Sequence, residues 1–149
     1  MTKKEKTRLS EHFADWEFRC RCGCGSMWVD WGLVEALEEL RGVLGSPVHI
    51  LSGCRCRRHN EVVGGKENSR HLTQANGSAV PCRAADIYIA GQPVRNMFRA
   101  ARAVPAFLNG GIGVYPGEGF IHVDIRKGKA RWQRTSKGAP HTKVERNLY

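Results

Sequence analysis

No stretch of this 149-residue chain carries the roughly 20 apolar residues that a membrane-spanning helix needs. The opening MTKKEKTRLSEHF is basic but has no apolar run behind it, so it does not read as a secretory signal, and synthesis in the cytoplasm is expected. Acidic side chains are scarce: 14 Asp and Glu stand against 24 Lys and Arg, for a net charge of +10. That balance favours an anionic partner such as nucleic acid, a membrane surface or an acidic wall polymer. No recognisable nucleic-acid module accompanies the charge, so no specific nucleic-acid partner is expected. There is no internal repeat, which removes solenoids and arrays. What is present is 41% apolar and 26% charged, a globular composition at the length of one ordinary domain.

Period and punctuation give the coarse organisation. From Trp28 to Leu44, apolar residues recur at Leu33, Val34, Leu37, Leu40 and Leu44 with charged residues between them, predicting an amphipathic helix stopped by Gly45 and Pro47. Val48–Leu51 reads as a short strand. Residues 54–81 are polar with Gly64-Gly65 and Asn76-Gly77 turns, a long irregular stretch of the kind that carries function. Residues 85–89 predict a strand and Pro93–Val104 a helix with proline in its first turn. Residues 111–115, 120–126 and 130–133 predict three strands joined by glycine-containing turns. Helices beside a mostly antiparallel, hairpin-linked sheet make an α+β domain. One domain over 1–149 is expected, with residues 1–10 and 135–149 as loose tails.

Candidate chemistry centres on His71, Asp86 and His122. Catalytic zinc takes three His, Asp or Glu ligands and keeps one position for water. Side chains alternate along a strand, so Phe120, His122 and Asp124 share a face and His122 is aimed with an acid beside it. Each residue also has a plain structural reading: a packed strand histidine, a turn-closing aspartate, a solvated loop histidine.

The runs Ser52-Gly53-Cys54-Arg55-Cys56-Arg57-Arg58-His59-Asn60, Ser69-Arg70-His71-Leu72, Ala84-Ala85-Asp86-Ile87, Gly111-Ile112-Gly113-Val114-Tyr115 and Phe120-Ile121-His122-Val123-Asp124-Ile125-Arg126 resemble, in order, the zinc D-Ala-D-Ala carboxypeptidase family of peptidases. Glu17-Phe18-Arg19-Cys20 and the helix after it resemble the start of its short phage and bacterial members, so the resemblance covers about residues 10 to 133. It implies an α+β fold with a small antiparallel sheet flanked by helices, shared with the hedgehog signalling domain. It implies zinc on His71, Asp86 and His122. It further implies that Arg55 binds substrate or stabilises the oxyanion, and that Ser69 occupies the position two residues before the first ligand.

Three departures from the family pattern stand out. Fourteen residues separate His71 from Asp86, more than is usual for the family, and Gln74 to Cys82 reads as a surface insertion. Cys54 replaces a tyrosine of the Ser-Gly-Tyr-Arg segment. Gly119 falls where many relatives carry the catalytic acid. Asp124 is the first candidate to replace that acid, as base or as orienting partner of a ligand, and Glu118 is the second. The cysteines allow three states: a second, structural zinc at Cys20, Cys22 and Cys24 with Cys54, Cys56 or Cys82; disulfides to the Cys54/Cys56 loop; or free thiols. The function implied is hydrolysis of peptidoglycan peptide near D-amino-acid residues. The enzyme would act on the wall after release or within a phage particle, its basic surface drawn to anionic wall polymers. The alternative is a catalytically silent zinc module that binds wall or a protein.

Overall fold

A computed structural model describes residues 7–144. Its centre is a five-stranded sheet in the order β1-β4-β6-β5-β7, formed by His49–Ser52, Ala84–Tyr88, Phe120–Asp124, Gly111–Tyr115 and Ala130–Gln133. All neighbours are antiparallel except β5 and β7. A two-stranded hairpin, β2 (Gln74–Ala75) with β3 (Ser78–Ala79), stands apart and is exposed. This is where the insertion is expected, and the Asn76-Gly77 turn closes it. The helices are α1 (Trp31–Leu44), α2 (Arg57–Val62), α3 (Val94–Arg102) and α4 (Pro105–Leu108), so the class is α+β.

The alternation of the strands divides the sheet into two chemically different faces. Ala85 and Ile87 of β4, Ile121 and Val123 of β6, and Ile112 and Val114 of β5 are fully buried and join Leu33, Leu37 and Leu40 of α1 in one core. Met97, Phe98 and Phe107 bring α3 and α4 to the same core. The opposite face carries Asp86, His122 and Asp124.

Helix α1 begins three residues later than its apolar pattern suggests. Asp30 caps it by accepting from the Gly32 amide at 2.8 Å, while Val29 just before pairs with Cys82 in a parallel bridge. Helix α2 lies inside the stretch expected to be irregular, and β6 stops at Asp124, two residues short of its expected end. Of the expected tails, residues 7–10 are hydrogen bonded to residues 13–15, and Thr142 pairs with Gln133. Residues 1–6 and 145–149 lie outside the described residues. Among the described residues no helix is long and apolar enough to cross a membrane.

Candidate metal centre

The sheet register assembles one row across four strands. Asp86 pairs with His122, His122 with Gly113, and Gly113 with Trp132. Because residues directly opposite lie about 4.5–5.5 Å apart, Asp86 and His122 meet without any loop having to place them. Gly113 has no side chain to obstruct the row; a Cβ there would collide with the Trp132 indole. The indole therefore lies across β5 with its ring centroid 5.0 Å from that of His122. Its Nε1–H donates to the Tyr115 hydroxyl at 2.9 Å.

His71 arrives from the polar segment, which runs beside Arg55. The Arg55 amide donates to the His71 carbonyl at 2.7 Å, and the Thr73 amide donates to the Arg55 carbonyl at 3.1 Å. His71, Asp86 and His122 are all buried. His71 Nε2 is 3.3 Å from Asp86 Oδ1, His122 Nδ1 is 3.1 Å from the same oxygen, and the two ring nitrogens are 3.2 Å apart. The three donor atoms lie within 4.8 Å of one another, so the expected ligand triad is brought together.

The outer nitrogens settle how each ring is held. His71 Nδ1 lies 2.7 Å from the Gly53 carbonyl oxygen, and His122 Nε2 lies 2.7 Å from Asp124 Oδ2. Each imidazole thus donates its outer N–H to an oxygen and, when neutral, turns a bare nitrogen inward. That is the tautomer a metal-binding histidine needs. Two neutral imidazole nitrogens and one carboxylate oxygen suit zinc. Burial pushes the His71 imidazole below its ordinary value, outweighing the Asp86 carboxylate beside it. Burial also depresses His122, but hydrogen bonds and charge from Asp124 and Asp86 outweigh it and hold that ring above its ordinary value. Burial would raise Asp86, yet the two histidines more than offset it and keep the carboxyl below the usual carboxylate range.

Asp124 is fully buried behind His122. Its Oδ1 accepts from the amides of Gly111 and Arg126 at 3.0 and 3.1 Å, and the Arg126 guanidinium reaches Oδ2 at 2.7 Å. With both oxygens filled and no exposure, its surroundings suit a partner that orients His122. Glu118 sits in the β5–β6 turn, pairs with Arg134 at 2.7 Å, and is not among the residues lining the cavity over the triad.

That cavity measures about 480 Å³ and includes His71, Asp86, His122, Arg55 and Ser69 in its walls. Arg55 donates to Asp86 Oδ2 at 2.9 Å, to Ser52 Oγ at 3.0 Å and to Asn60 Oδ1 at 3.3 Å. Ser69 Oγ accepts from the His71 amide at 3.2 Å. Four participants had no sequence signal of their own: Asn60, Tyr115, Trp132 and His141. His141 lies in the expected tail, reaches Tyr115 Oη at 3.3 Å and lines the cavity. Burial and the nearby Arg134 and Lys66 charges hold its imidazole below the ordinary value.

Known proteins resemble this chain in sequence. The chain is 33% identical over 100 residues to the peptidoglycan L,D-endopeptidase MepK of Escherichia coli strain K12, covering 64% of this chain and 50% of that protein. The protein of the same name from Shigella flexneri matches to the same extent. The chain thus spans about half the length of these curated relatives. The sequence profile of peptidase M15 matches residues 11–124, a span that holds Arg55, Ser69, all three residues of the triad and the aspartate behind them. On that match, over most of its length, the chain belongs to the peptidase M15 family.

Proposed function

We propose that this chain is a zinc-dependent peptidase acting on peptidoglycan peptide, with His71, Asp86 and His122 as the metal ligands. The observation that carries the reading is the convergence of three inward donor atoms within 4.8 Å, with both outer histidine nitrogens already committed to oxygens. When bound, zinc supplies a Lewis acid that lowers the pKa of water and polarises a peptide carbonyl.

The chain's own groups do the rest. Arg55, half-buried and fixed by three acceptors, presents its guanidinium beside the triad and stabilises negative charge developing on the carbonyl oxygen. Asp124 acts through His122 as a positioning residue. The departing amine needs a proton, and the other titratable side chains in the cavity walls are arginine, lysine and tyrosine. Burial and the Arg134 and Lys66 charges lower the basicity of His141, which lines the cavity, and it is the group we assign to accept and return that proton. Ser69 and Lys66 border the same cavity, where polar and cationic groups suit a peptide bearing carboxylates.

The resemblance to the L,D-endopeptidase MepK supports an endopeptidase that cuts beside a D-residue. The net charge of +10 suits a substrate embedded in anionic wall polymers, as for an enzyme that opens the wall during lysis. Digestion of purified peptidoglycan, read by mass spectrometry of the released muropeptides, tests the reading. New amino termini should appear with zinc, vanish with a chelator and be lost in His122→Ala. A zinc-loaded protein that releases no fragment would leave only the silent binding module.

A further inference from the structure

Away from the triad, the structure gathers a second set of donors. Cys20, Cys22, Cys24 and Cys56 place their sulfurs within 4.8 Å of one another. Cys20 Sγ is 3.5 Å from Cys22 Sγ and 3.8 Å from Cys56 Sγ, and Cys22 Sγ is 3.7 Å from Cys56 Sγ. A disulfide holds its sulfurs about 2.05 Å apart, so these separations are not bonds. They match another figure: four thiolates at zinc–sulfur distances near 2.3 Å define a tetrahedron with edges of about 3.8 Å.

The local fold explains why thiols at alternate positions can face one point. In an extended chain, Cys20, Cys22 and Cys24 would have to align along one strand face. Instead the segment turns: the Gly23 amide donates to the Cys20 carbonyl, the Cys20 amide donates to the Ser26 carbonyl, and Gly23 and Gly25 both take the left-handed conformation. The fourth sulfur comes from Cys56, which caps α2 from the other side of the cluster. Backbone amides point at the sulfurs as they do at metal-bound thiolates: Ser26 to Cys24 at 3.4 Å, Cys56 to Cys20 at 3.4 Å and His59 to Cys56 at 3.3 Å. The two remaining cysteines, Cys54 and Cys82, are joined to each other as a disulfide, which leaves four thiols for four corners.

We infer that Cys20, Cys22, Cys24 and Cys56 form a closed, structural zinc site distinct from the triad. Four sulfur ligands leave no position for water, so the site does no hydrolysis. It fastens the 20–26 segment to the start of α2, one residue from Arg55. The set is a soft tetrahedral donor cage, which selects zinc over the hard cations.

The test is metal stoichiometry of the full chain after zinc loading and desalting, with cobalt substitution as a second reading. Wild type should hold two zinc ions per chain, and Cys22→Ser/Cys24→Ser and His71→Ala/His122→Ala one each. The cobalt form of wild type and of the histidine variant should show thiolate-to-cobalt charge-transfer absorption. The cysteine variant should lose it. One zinc in wild type with no such absorption would overturn the inference, as would a native mass showing two disulfides among these four cysteines, or iron in place of zinc. The wild-type cobalt spectrum decides the matter even if the cysteine variant fails to fold. Failure of the peptidase reading is separate: it would appear as unchanged metal content in the histidine variant.

Discussion

Asp124→Asn is the substitution that most directly separates a positioning carboxylate from a proton carrier. The native carboxylate takes contacts from both oxygens: Gly111 N, Arg126 N and Arg126 Nε on Oδ1, and His122 Nε2, Arg126 Nε and Arg126 Nη2 on Oδ2. An asparagine keeps one acceptor and turns an NH₂ toward donors, whichever way it is flipped. Breaking a buried charge pair typically costs 3–5 kcal/mol, and the partial exposure of Arg126 argues for the lower end, about 3 kcal/mol. Ligand orientation suffers too, because the orienting partner of a metal-bound histidine is worth roughly 10–100-fold in metal affinity. Urea unfolding of the metal-free protein gives the first quantity and competition with a chromogenic chelator the second. If the variant bound zinc within about twofold of wild type, well short of that penalty, yet lost turnover completely, Asp124 would be carrying protons and the positioning argument would fall.

His141→Ala should lower kcat by roughly 10²–10⁴-fold, the usual contribution of a general acid–base, with zinc content unchanged; full activity would remove it from the proton path. Arg55→Lys keeps the charge but cannot reach Asp86, Ser52 and Asn60 together, so kcat should fall more than KM rises in peptide cleavage assays. Cys54→Ser/Cys82→Ser opens a crosslink of sequence separation 28 and should cost about 3–4 kcal/mol by the chain-entropy relation, read from denaturant midpoints. Glu38→Gln tests a remote pair. Burial raises the Glu38 carboxyl, but bonds from Ser10 and His12 outweigh it and hold it below the ordinary carboxylate range. Its stabilisation, under about 1 kcal/mol for a partly exposed group, is therefore complete above pH 4.5 and lost as pH falls through the folded value. The variant's stability curve should accordingly converge on wild type in acid and fall below it at neutral pH.

The sequence made the periodic parts legible and the convergent parts only by resemblance. Helix α1 announces itself through Leu33, Leu37 and Leu40, because burial of one stripe is a local pattern. Helix α2 carries Arg57-Arg58-His59-Asn60-Glu61-Val62, of which only Asn60 is buried. No apolar stripe marks it, and what matters is where it puts Asn60. Strand β7 joins β5 in parallel, skipping β6, so no hairpin turn points to its neighbour. Trp132 meets His122 only through that register and the bare Gly113. His141 and Cys56 show the same limit: their partners lie 26 and 36 residues away, beyond any spacing rule. The triad itself was legible because a family pattern stood in for the missing distances.

One tripeptide gathers these long-range contacts. Cys54 is joined to Cys82, two residues before the strand that carries Asp86. Arg55 holds Asp86 directly and, through its backbone, fixes the His71 segment at its side. Cys56 belongs to the thiol cluster that reaches back to Cys20. Three fastenings at consecutive residues, each to a different part of the chain, leave the Arg55 guanidinium little freedom to follow solvent. The ordering entropy, up to about 2 kcal/mol for such a side chain, is thereby met when the chain folds and not when substrate binds. The insertion between His71 and Asp86 is tolerable for the same reason. His71 is held from the Arg55 side and Asp86 from the sheet, so hairpin β2–β3 can lengthen outward without moving either side chain.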